Sequence, residues 1–78
     1  MAEISTTHVS HLLTYAVQHA KGKQPHLVAD VCDIVGRYSN QMKASDAGFL
    51  VEYIEGFVQE EEASSKVHWL ELLRVLNL

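Results

Sequence analysis

Five histidines, a single cysteine and a run of glutamates are the residues of this chain whose types could do chemistry. The histidines stand at His8, His11, His19, His26 and His68. Imidazole is the commonest metal ligand and the side chain that changes charge closest to neutral pH. His8 and His11 are i,i+3 neighbours able to share an ion, but His8 and His19 are eleven residues apart. That is roughly 16 Å along a helix rising 1.5 Å per residue, too far for one site. No HExxH, CxxC or Glu-x-x-His spacing occurs, and those arrangements are the ones that converge ligands on zinc or a di-iron centre. Asp30 and Asp33 add carboxylates that nothing in the sequence brings to His8. The sequence therefore predicts no metal and no cofactor, with the histidines as solvated helix flanks. A His-based metal-binding or pH-sensing protein is the alternative, because protonating all five would carry the formal charge from −4 to +1.

Cys32 lies on an apolar stripe beside Val31 and Val35, where a buried, inert thiol belongs, and no base is placed to activate it. There is no glycine-rich phosphate loop, and so short a helical chain leaves little volume for a substrate cleft. The expectation is a protein that is not an enzyme. With one cysteine no intrachain disulfide can form, which fits a reducing cytoplasm. The opening "MAEISTTHVSHLL" has no basic segment ahead of a continuous apolar run, and no segment reaches the ~18 apolar residues of a membrane span. A soluble, cytoplasmic, unprocessed chain is expected.

Between Glu52 and Glu62 the chain holds five glutamates and no base. On a helical wheel Glu52, Glu55, Gln59 and Glu62 point outward, either as a solvated face or as an acidic docking surface for a basic protein partner. The same residues count against nucleic acid, as does the net charge of −4, because phosphate binding draws on Lys and Arg. A helix-turn-helix with "MKASDAG" as its turn is the DNA-binding alternative, but its recognition helix would present these acids to the phosphate backbone.

The C-terminal run "VHWLELLRVLNL" is apolar on two sides. Trp69, Leu72, Leu73 and Leu76 make one stripe, and Val67, Leu70, Val75 and Leu78 fall roughly opposite, around Glu71 and Arg74. One face serves the chain's own core. The second is predicted to be a homodimer interface of Val67, Leu70, Glu71, Arg74, Val75 and Leu78, since charges within it are costly to bury in a core.

The elements that must position these residues follow from the 3.6-residue period. Val9, Leu12, Leu13, Ala16, Val17 and Ala20 recur on one face of a helix over about 6–21, opposite Ser10, Thr14, Gln18 and Lys21. Ser5, Thr6 or Thr7 is its candidate N-cap, and Gly22 its C-terminal stop. Pro25 opens a helix over about 25–43, where its missing N–H costs nothing. Leu27, Val28, Val31, Cys32, Ile34, Val35, Tyr38 and Met42 face its core, Asp33 and Arg37 pair outside, and Gly36 marks a candidate close crossing. Ser45 is read as the cap of a third helix over about 46–60, with Asp46 in its first turn. Its stripe is Ala47, Leu50, Val51, Tyr53, Ile54, Phe57 and Val58, with Phe49 at the border. Extending that wheel drops Glu61 into the apolar stripe, so regular helix is expected to end near Glu60. Ser64 or Ser65 is read as the cap of the last helix, about 65–77. Strand alternation and hairpin turns are lacking. The fold class is all-α, a single domain over 1–78 built as a small bundle of three to four short antiparallel helices. The function expected is a small non-enzymatic protein-protein interaction module, a regulator, inhibitor or adaptor, binding itself and a second protein, with no nucleic acid or membrane partner.

Overall fold

The computed structural model describes residues 6–77 and carries the periodicity through as four helices. These are α1 (Thr6–Ala20), α2 (Pro25–Tyr38), α3 (Ala44–Glu55) and α4 (Ala63–Leu76), with 3₁₀ turns at Ser39–Gln41 and Val58–Glu60. There is no strand among the described residues, and the all-α bundle is the fold.

Local chemistry explains most of the boundaries. Gly22, the one residue with positive φ (76°) among those described, takes the left-handed conformation that releases the chain from α1. Pro25 is the first residue of α2, as its fixed φ favours. Two helices are shorter than the periodicity predicts. Helix α2 stops at Tyr38, not 43, and tightens through Ser39–Gln41 before Met42 turns extended. Helix α3 stops at Glu55, not 60: the Gly56 N–H is shared between the Glu52 and Tyr53 carbonyls, and the Phe57 N–H reaches back only to Ile54. Such tightening is usual where a helix end must satisfy its last carbonyls.

The predicted serine caps need correcting. The residue preceding α3 is Lys43 and that preceding α4 is Glu62, both extended and neither making a side-chain cap bond. Ser45 and Ser64 are exposed helical residues. Ser65 is buried in the first turn of α4, with its Oγ lacking a partner among the described residues. Thr6 and Thr7 are already within α1, and Ser5 lies outside the described residues. Asp46 does sit in the first turn of α3, and its carboxylate also accepts a 2.8 Å bond from Ser10 Oγ. Ser10, predicted to face solvent, is therefore buried against α3.

Helix directions follow from contacts at both ends. Ser10 meets Asp46 near the starts of α1 and α3, while Lys21 at the end of α1 lies over Tyr53 and Phe57 at the end of α3. The pair runs in one sense. Likewise Gly22, just before α2, bonds Glu61, just before α4, and Gly36 near the end of α2 lies against Leu72 and Val75 near the end of α4. Short links reverse the chain between successive helices, so sequence neighbours are antiparallel. A Cβ placed on Gly36 would lie 3.7 Å from Leu72 Cδ1 and 3.8 Å from Val75 Cγ1, ordinary contact distances. Gly36 is not required by a close crossing.

The core is built from Val9, Leu13, Val17 and Ala20 of α1, Val28, Cys32 and Val35 of α2, Leu50 and Ile54 of α3, Phe57 and Val58 beyond it, and Trp69, Leu72 and Leu73 of α4. Trp69 is the largest fully buried side chain. Its ring meets Phe57 edge-on at 5.1 Å between centroids, and Phe57 meets Tyr53 at 5.3 Å, the geometry aromatic quadrupoles favour. The indole N–H donates to Glu61 Oε1 at 2.8 Å. The same carboxylate accepts the Gly22 N–H, at 3.1 Å to Oε2 and 3.3 Å to Oε1. The residue whose placement in the stripe argued against continuous helix thus does turn inward, and its oxygens are satisfied there.

A double-mutant cycle measures this tie. Glu61→Ala and Trp69→Phe, each alone and combined, should give a coupling of about 1.5–3 kcal/mol in chemical denaturation, the range for a hydrogen bond to a charged group. A coupling indistinguishable from zero would mean that Glu61 only caps the surface of the indole.

Candidate functional site

The outer face of α4 is where the structure leaves predicted site residues together and uncovered. A helix of 14 residues presents two apolar stripes here, and the bundle consumes only the one through Trp69, Leu72 and Leu73. Val67 remains 65% exposed, Leu70 47% and Val75 36%. Glu71 and Arg74 stand between them, also exposed, with Arg74 Nη1 3.6 Å from Glu71 Oε2. That distance and exposure make a weak pair, open to exchange with other charges. Val75 is the inner edge of the set, since its Cγ1 also approaches Gly36 of α2. Leu78, the sixth predicted member, lies outside the described residues.

The predicted acidic surface is less regular than a single helix face. Glu52 and Glu55 are exposed on α3, but Gln59 belongs to the 3₁₀ turn and Glu62 directly precedes α4. The cause is the early end of α3 at Gly56. All four remain exposed, whereas Glu61 is withdrawn to hold Trp69 and Gly22. The fold also supplies a base that the local sequence lacks. Lys21 Nζ lies 5.8 Å from the Tyr53 ring centroid and 5.3 Å from that of Phe57, within cation–π range.

A third surface was assigned to the core by the sequence pattern and is in fact open. Leu12 is 60% exposed, and Ile34 and Tyr38 are about half exposed. With Val9, Leu13, Ala16 and Gln41 they line a cleft of about 300 Å³ between α1 and α2 that carries no charged side chain. These residues sit at the margins of their stripes. On a wheel each is offset from the stripe centre, the one signal that could have separated them from Leu13 or Val35. Phe49, Tyr15 and Tyr53 are exposed as well, Tyr53 against its expected place in the core.

Cys32 is buried and free, and burial pushes its thiol up to about 12, so at neutral pH the nucleophilic thiolate is essentially unpopulated. His11, His19 and His26 are exposed, and His68 is half-buried beside the α2–α4 groove that Cys32, Asp33 and Glu71 also line. No group of three or more His, Cys, Asp or Glu side chains able to hold a metal ion occurs among the described residues. No helix among them is long and apolar enough to cross a membrane. Comparison with protein-family models, with curated proteins and with solved structures finds no match to the chain.

The buried thiol gives a direct check. At neutral pH a disulfide reagent should label Cys32 in the native protein at least ~100-fold more slowly than in the denatured protein, because reaction must wait for opening. Equal rates in both states would place Cys32 at the surface.

Proposed function

We propose that this chain is a small non-enzymatic protein-interaction module, a regulator, inhibitor or adaptor, that self-associates as a homodimer through the outer face of α4. The observation that carries this reading is the exposure of Val67, Leu70 and Val75 on a helix whose other face holds the largest fully buried side chain, Trp69. Apolar residues grouped on one exposed helix face are unfavourably hydrated, and covering them lowers the free energy by roughly 25 cal/mol per Å² removed from water. A chain of 78 residues buries only roughly 60% of its unfolded surface, so a second copy adds core that the monomer lacks. Twofold pairing is the commonest way in which one surface covers itself.

The acids at Glu52, Glu55 and Glu62 support a second, basic protein partner, steered by charge to the end of the molecule where α3 gives way to α4. They also speak against α3 as a DNA-reading helix. A lone cysteine and a thiol held protonated suit a cytoplasmic setting.

Two measurements test the proposal. Leu70→Glu combined with Val75→Glu should convert dimer to monomer in light scattering while the helical circular dichroism survives, because neither side chain is in the core. An unmodified protein that scatters as a monomer at every accessible concentration would end the dimer reading. Changing Glu52, Glu55 and Glu62 together to Gln should alter stability by less than about 0.5 kcal/mol. The same variant should weaken capture of a basic partner at low salt; undiminished capture would reduce these acids to a solvated surface.

A further inference from the structure

We infer that the second copy lies antiparallel on α4, in a register selected by Glu71 and Arg74. The inference rests on the self-association proposed above and gives it a geometry. Val67, Glu71 and Arg74 recur at spacings of four and three along the outer face, the spacing that keeps side chains on a helix–helix seam. Leu70 and Val75 flank that line on either side. All five are exposed, so no described residue of the same chain covers the seam.

Charge order decides the direction of the second copy. A twofold axis perpendicular to α4, passing between positions 72 and 73, brings Glu71 of one copy against Arg74 of the other, and does so twice. Leu70 of each copy then lies level with Val75 of the other. The parallel arrangement brings Glu71 against Glu71 and Arg74 against Arg74, and like charges facing each other across a seam are strongly disfavoured. Within one chain the two groups are 3.6 Å apart and 78% and 65% exposed. They are therefore available to exchange the loose intrachain contact for a shorter one across the axis, between Leu70 and Val75 side chains that shield it from water. A face that is apolar at its flanks and carries one acid and one base in this order is complementary to itself. A uniformly basic partner, by contrast, would oppose Arg74.

Charge exchange in the full chain tests the register. Sedimentation equilibrium on E71R, R74E and the double exchange E71R/R74E, with circular dichroism on the same samples, reads association and folding separately. Each single variant places two like-charge pairs across the antiparallel seam, and its dimer dissociation constant should rise by about tenfold or more. The double exchange restores both opposite-charge pairs and should bind within about threefold of the unmodified protein. An equimolar mixture of E71R and R74E should form a heterodimer tighter than either homodimer, and added salt should narrow these differences. If a single variant loses helix, the double exchange still decides, since it carries both substitutions. An unmodified dimer whose affinity the single variants leave unchanged overturns the antiparallel register and leaves self-association standing. An unmodified protein that is monomeric throughout overturns self-association itself.

Discussion

The carboxylate of Glu61 holds three parts of the chain at one point: the link between α1 and α2 through Gly22, the link into α4 that Glu61 itself belongs to, and the centre of α4 through Trp69. An indole buried without a partner for its N–H leaves an unpaired donor in an apolar setting, which costs about 1–3 kcal/mol. Glu61 removes that penalty and so permits Trp69, with the largest apolar surface of any side chain here, to sit at full burial. The edge-on stack from Tyr53 through Phe57 to Trp69 then carries the end of α3 onto α4. Lys21 closes over the same rings from α1. Phe57 can take part only because α3 ends at Glu55 and the chain tightens there.

Committing Trp69 to the centre fixes the orientation of α4 about its own axis, and this is what turns Val67, Leu70, Glu71, Arg74 and Val75 outward. The two faces of α4 are therefore not independent: the side chain that anchors the inner one exposes the outer one. Surface-to-volume ratio acts in the same direction. Four helices of 12–15 residues enclose a core only a few side chains wide, so the margins of each apolar stripe stay in water. Leu12, Ile34 and Tyr38 in the α1–α2 cleft are such margins. What distinguishes the α4 face from that cleft is the acid and the base that stand in order along it, Glu71 and Arg74, whereas no charged side chain lines the cleft.

Four helices and most of their inward residues are legible in the sequence, because the 3.6-residue recurrence of apolar side chains and the punctuation by Gly22 and Pro25 are local properties. Leu13, Val17, Val28, Val35, Leu50, Ile54, Trp69 and Leu72 were all assignable in this way, and all are buried. Helix ends were less legible. Ser45 and Ser65 have the side chains of N-caps, but the chain enters these helices two and three residues earlier, at Lys43 and Glu62, directly after the residues that leave the preceding 3₁₀ turns in extended conformation. Of the site residues, those on α4 could be read from the wheel because its second stripe is apolar. Gln59 and Glu62 were placed on α3 only because a wheel assumes a helix that in fact stops at Glu55.

By itself the sequence determined the all-α class, the order of the helices, the apolar stripe each one buries and the presence of a second apolar face on α4, since these depend on side-chain period and on the backbone preferences of single residues. Only the tertiary structure decided which stripe margins remain in water, that Ser10 turns in to Asp46 and Lys21 covers Tyr53 and Phe57, and that one glutamate in an acidic run serves the core. Those outcomes depend on contacts between positions more than thirty residues apart, Ser10 with Asp46 and Gly22 with Glu61. No local pattern encodes such pairs: each is set by how four helices of fixed stripe width share one small interior.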